Sequence, residues 1–163
     1  MATTQLTLNQ TTLLGATTGT IACLLTPVTG KQLLLPNVTV TEVVAGNELV
    51  PAPDGSPAWK LGMLSWRDML VPVIAFEGLN GQSVPRECER VAIISGISAQ
   101  RELPYYGIVV QGIPRLAKVK IAELEDLDGA ATGPVEFLQV RYAGELAVIP
   151  DLDALEAQLI ASV

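Results

Sequence analysis

The chain has 163 residues, 49% of them apolar, enough for one buried core or for two small domains sharing one. Its net charge of -7, with only 17% charged residues and no long Lys/Arg run, argues against nucleic acid and anionic membrane surfaces as partners. It contains no histidine, which removes Ser-His-Asp and Cys-His nucleophile chemistry and histidine metal sites.

Residues 1–18, rich in Thr and Gln with Leu6, Leu8, Leu13 and Leu14 interspersed, read as a flexible segment ahead of a domain over 19–163. Thr20–Thr26 is the first expected strand, Thr29-Gly30 a turn, and Lys31–Leu35 the return strand. Asn37–Val44 supports two readings. Its valines and threonines favour a strand, whereas Pro36-Asn37 and Gly46 suit the start and stop of a short helix. Residues 46–58, with Pro51, Pro53, Gly55 and Pro57, are an irregular linker.

Leu61 to Gly81 is the organising stretch. Leu61–Trp66 predicts a strand, Arg67-Asp68 a turn, and Met69–Phe76 the return. The apolar run suits burial on both faces. Pro72 donates no ladder hydrogen bond and predicts an edge or bulge position. Arg67, a lone cation at the end of an apolar strand, is either a solvated turn residue or a partner contact.

Further strands are expected at Arg90–Ile97, Tyr105–Val110, Arg115–Ile121, Phe137–Tyr142 and Leu146–Ile149, with loops over 98–104 and 122–134. These strands fall into two groups around residue 82. Asp151 is placed to cap a final helix whose stripe is Leu152, Leu155 and Leu159. Regular short strands with turn signals point to a mainly β protein, a sandwich or barrels.

No signal-peptide n-region precedes Lys31, the first basic residue, and no apolar run approaches the roughly 20 residues of a membrane span. A cytoplasmic protein without membrane insertion is expected. Cys23 and Cys88 are far apart and read as two reduced, buried thiols. No glycine-rich phosphate loop occurs. The acidic run Glu123, Glu125, Asp126, Asp128 lacks EF-hand spacing and reads as a solvated loop. No metal or cofactor is expected.

Three blocks in register carry a resemblance. Pro57 to Asp68, followed by Leu70-Val71-Pro72-Val73-Ile74, is similar to a family pattern of Pro, a nearby Gly, Asn-Leu-Arg-Gly and Val-Pro-Val/Ile. Tyr106-Gly107-Ile108-Val109-Val110-Gln111-Gly112-Ile113 is similar to the family's Gly-hydrophobic-Val-Val-Asp-Gly-Val. Gly144 to Leu155 is similar to its closing strand and helix. Over about residues 20–160 the chain resembles the CheW-like adaptor domain of bacterial chemosensory systems.

That resemblance implies two five-stranded β-barrel subdomains around a shared apolar core, a C-terminal helix and no catalysis. It implies a bridge between a CheA-type histidine kinase and the cytoplasmic tip of a chemoreceptor, at receptor arrays on the inner membrane. It implies a short helix at Asn37–Val44. Val40, Glu42, Gly62 and Arg67 match receptor-facing positions. The residues themselves leave other roles open: Val40 as core, Glu42 as a solvated side chain, Gly62 as a strand bulge.

The chain departs from the pattern at Ser65-Trp66-Arg67-Asp68. Asp68 stands where the family has glycine, which restricts the turn if φ is positive, and it sets a carboxylate beside Arg67. The departure resembles divergent adaptors, such as the ChpC-type variant of type IV pilus (twitching) systems. The alternatives are a small β-barrel binding a hydrophobic molecule between its two halves, and an enzyme using carboxylates or Ser/Thr.

Overall fold

In chain order the strands of the computed structural model are β1 (Thr20–Val28), β2 (Lys31–Pro36), β3 (Val40–Ala45), β4 (Val50–Pro51), β5 (Lys60–Trp66), β6 (Met69–Ile74), β7 (Arg90–Ser95), β8 (Tyr105–Val110), β9 (Arg115–Lys120), β10 (Glu125–Asp126), β11 (Glu136–Tyr142) and β12 (Glu145–Pro150). The structure describes residues 20–85, 87–96, 103–120, 122, 124–126 and 133–162. The expected flexible segment 1–18 lies outside them, as do most of the 98–104 loop and Glu123 and Asp128 of the acidic run.

The strands form two six-stranded sheets, β10-β11-β12-β2-β1-β9 and β3-β7-β8-β6-β5-β4. Each contains one strand of only two residues, β10 or β4, so five full-length strands remain in each subdomain. The short strands fall in 46–58 and 122–134, both expected to be loop. The expected division near residue 82 is wrong. All of the second sheet, β3 to β8, is inserted between β2 and β9 of the first. Parallel pairing of Val148 with Leu33 then closes the first sheet across that insertion. A grouping by sequence position cannot see a pairing between the two ends of a chain.

Side-chain alternation divides the apolar runs among three cores. On β2, Leu33 and Leu35 enter one cluster and Leu34 another; on β7, Ala92 and Ile94 part from Val91 and Ile93 in the same way. Successive residues of a strand point to opposite faces, so a strand buried on both sides reads as an unbroken apolar run. One cluster lies within each subdomain. The largest is shared: Leu33, Leu35 and Val148 of the first sheet meet Ile74, Tyr106 and Ile108 of the second. Leu152, Leu155 and Leu159 of the C-terminal helix complete it.

Asn37–Thr39 forms a single 3-10 turn, and Val40–Ala45 is strand. The helix implied for Asn37–Val44 is therefore confined to its first three residues, and β-branched propensity decides the rest. Pro72 is not on an edge strand, because β6 lies between β8 and β5. It is tolerated because the parallel ladder with β8 begins only at Val73. The bulge of this hairpin lies between Lys60 and Gly62 instead. Phe76 leaves the strand and opens a one-turn helix, α1 (Phe76–Leu79), which drops Phe76 and Leu79 into the shared core.

Helix α2 (Leu152–Ala161) starts at Asp151, whose Oδ1 accepts the Ala154 N–H at 3.0 Å. Cys23 is buried, as expected, and burial pushes its thiol up to about 11. Cys88 is only half-buried, because it sits in the loop before β7 and not in a strand. No helix among the described residues is long and apolar enough to cross a membrane.

A buried polar junction ties α1 and the residue that follows it to the first sheet. Lys31 and Glu136 form an ion pair with side chains 6% and 2% exposed. Asn80 donates its Nδ2 to Glu136 Oε2 at 3.1 Å, and its Oδ1 accepts the Val135 N–H at 3.3 Å. Glu136 Oε1 accepts from the Gly133 N–H and from Gln139 Nε2, both at 2.9 Å. Glu77 reaches from α1 to accept the Thr29 N–H at 2.8 Å. Every one of these bonds to Glu136 favours its charged form. Burial pushes its carboxyl up, but Lys31, Gly133 and Gln139 together hold it below the ordinary value.

Candidate functional site

The β5–β6 turn has φ of 48° at Arg67 and 62° at Asp68. Two left-handed central residues define the type I′ turn, whose twist matches that of a two-residue hairpin and which favours Asn-Gly or Asp-Gly. Here the second position is not glycine, so the turn is strained, as the expectation for Asp68 required.

The tip is braced from β3. Glu42 Oε1 accepts the Trp66 indole N–H at 2.9 Å and lies 3.4 Å from Arg67 Nη2. The Arg67 guanidinium sits 4.5 Å from the centre of the Trp66 ring, a cation–π distance. Trp66 is buried and packs edge-on against Tyr105 at 5.0 Å. Since β3 and β5 lie near opposite ends of the strand order, this contact shows that the second sheet rolls round on itself. The carboxylate beside Arg67 is thus Glu42, not the neighbouring Asp68, which forms no ion pair among the described residues.

Glu42 and Arg67 are brought together, with side chains 45% and 62% exposed. Val40 lies two residues from Glu42 across a bulge in β3, half-buried against the shared core. Gly62 is further away and buried under β4. It pairs with Pro51, its φ is 155°, and a Cβ there would collide with the Val50 carbonyl oxygen. The sequence places Trp66 at the end of an expected strand without giving it a partner, and it does not bring Tyr105 to the tip. The signal available was the aromatic next to the lone cation, because a flat ring is what a guanidinium stacks on. Leu70, 68% exposed, adds an apolar contact beside the tip.

This surface offers an ion pair and a cation–π contact. One guanidinium is held over a ring by a carboxylate, with its outer face open to solvent. No cluster of three or more metal-ligating side chains occurs among the described residues. Two surface clefts, of about 270 Å³ beside Val43 and Arg90 and about 230 Å³ beside Leu25 and Tyr142, are small. Pockets for drug-sized ligands begin at roughly 300 Å³.

A model of the CheW-like domain matches residues 22–158. The chain belongs to the CheW-like family. Members of this family are non-enzymatic scaffolds of chemotaxis signalling, which sets aside the enzyme reading. Among solved structures, the scaffolding protein TtCheW from Thermoanaerobacter tengcongensis is similar at a TM-score of 0.65 and 15% identity, over 83% of this chain and 86% of that one. No curated protein matches the chain. In this CheW-like fold the hairpin tip is Trp66-Arg67-Asp68, held by a β3 glutamate.

Proposed function

We propose that this chain is a coupling adaptor that holds the cytoplasmic tip of a chemoreceptor against a CheA-type histidine kinase, in the cytoplasm at receptor arrays. The hairpin tip is its receptor-facing surface, centred on Arg67 and Glu42. The observation that supports this is the exposed guanidinium fixed over a buried tryptophan. Its order is supplied in advance by Trp66 and Glu42, so little side-chain freedom is lost on binding. Arginine and tryptophan are also the residue types over-represented among binding hot spots. Val40 and Gly62 support the surface from behind, through the packing of β3 and the approach of β4.

A bridge between two partners needs a second surface, separate from the tip, for the kinase. Asp68, in place of the glycine of the family pattern, supports a place among the divergent adaptors of type IV pilus systems, and on that reading deleting the gene is expected to impair twitching. The direct test is capture of a receptor-tip fragment and of the kinase regulatory domain by the purified chain. Arg67→Ala is expected to weaken receptor capture about fivefold or more, the equivalent of roughly 1 kcal/mol, and to leave kinase capture unchanged. Normal receptor binding by that variant would remove the tip from the binding surface. Failure of the unaltered chain to capture either partner would reject the adaptor role.

A further inference from the structure

Asn80 is followed by Gly81, the one Asn-Gly step in the sequence. A glycine after asparagine leaves the next backbone nitrogen unshielded, so it can attack the side-chain amide. In the folded chain that attack is held off twice. The Gly81 N–H donates to the Gly78 carbonyl at 3.1 Å. The Asn80 carboxamide is pinned at both ends, Nδ2 to Glu136 and Oδ1 to the Val135 N–H. Ring closure needs Asn80 Cγ to turn onto the Gly81 nitrogen, and both side-chain bonds must break first. Those bonds are part of the junction between the inserted segment and the first sheet.

We propose that Asn80–Gly81 is a deamidation site gated by this junction, protected while it is closed and reactive when it opens. The Gly81 nitrogen bonds to Asn80 Cγ and gives up its proton to solvent; the Cγ–Nδ2 bond breaks and ammonia leaves. Water then opens the cyclic imide at either carbonyl, leaving aspartate or isoaspartate at position 80. The net change is water in and ammonia out.

The product cannot restore the junction. An amide that donated to Glu136 Oε2 becomes a second carboxylate facing Glu136, with Lys31 the one cation bound there among the described residues. One buried carboxylate, one half-buried carboxylate and one ammonium leave an uncompensated charge, which a protein interior tolerates poorly. The modification is therefore a one-way record of how often the junction has opened.

The test follows the mass and the isoaspartate content of the peptide holding residues 80–81 in the full chain, in mildly alkaline buffer. Conversion in the native state is expected to run at least tenfold slower than in denaturant, since the reaction must wait for local opening. Lys31→Met, which loosens the junction without touching Asn80, is expected to speed native conversion toward the denatured rate. Equal rates in native buffer and denaturant would overturn the gating, as would an unchanged native rate in Lys31→Met. No conversion in denaturant would overturn the site itself. N80D tests the product: it should lower the melting temperature more in the unaltered background than with Glu136→Gln, where the opposing charge is gone. Equal shifts in both backgrounds would overturn the charge clash. Should N80D not fold, the two rate comparisons still decide.

Discussion

At the hairpin tip Glu42 meets Arg67 with side chains 45% and 62% exposed; at the junction Glu136 meets Lys31 with side chains 2% and 6% exposed. Both are glutamates paired with a cation from a distant strand or turn. Water separates their roles. At the tip solvent screens both charges, and a pair of this kind contributes about 0–1 kcal/mol. At the junction neither charge can return to water without opening the fold. Removing one partner leaves the other stranded. The same chemistry thus specifies structure in one place and stays open to solvent in the other.

Glu136→Ala should break this contrast most severely. It strands Lys31, and the fold should lose about 3–5 kcal/mol, the cost of breaking a buried pair. Denaturant unfolding would measure it, and a loss no greater than that of Glu42→Ala would erase the distinction. Acid should act at the same place. The Glu136 carboxyl is held below its ordinary value in the fold. Its contribution is thus present above the unfolded value, roughly pH 4.3, and is lost as pH falls through the lower folded value. Melting temperatures taken across that acid range should vary less in Glu136→Gln than in the unaltered chain.

Asp68→Gly should move the other way. It relieves a left-handed residue at φ 62° and should add about 0.5–1 kcal/mol, while leaving receptor binding equal or stronger. A loss of stability would mean that the carboxylate holds the turn. Smallest is Arg67→Ala, which should shift stability within roughly 0.5 kcal/mol, as surface substitutions do. An early melt with normal receptor capture would make the arginine structural.

Much of the second sheet was legible because its signals are local. A two-residue turn between apolar runs marks the hairpin at Arg67-Asp68, and Asp151 ahead of Leu152, Leu155 and Leu159 marks the last helix. The acidic capping residue and the stripe sit within a few positions of each other, so no tertiary knowledge is needed. The Asn37–Val44 segment shows a limit of likeness: the valines of Val40–Ala45 follow strand propensity although the family resemblance implied helix. The site was half legible. Arg67 stands out as a lone cation, but Glu42 and Trp66 meet only because the sheet rolls. The junction was not legible at all. Lys31 and Glu136 are 105 positions apart, and Glu136 carries no local pattern that separates it from the acidic residues before it.

The nesting of one sheet inside the other has a consequence for synthesis. As the chain leaves the ribosome, β1 and β2 emerge first and can pair as a hairpin, yet their sheet stays incomplete. Every strand of the inserted sheet is available once residue 110 is out. Leu33 and Leu35 must wait for Val148, and the three leucines of α2 come later still. Contacts between chain ends close slowly because a long loop must be ordered first. The nascent chain therefore holds a rolled inner sheet beside an unfinished outer one. Until the last helix docks, the apolar face of Ile74, Tyr106 and Ile108 is the surface most exposed to misassembly.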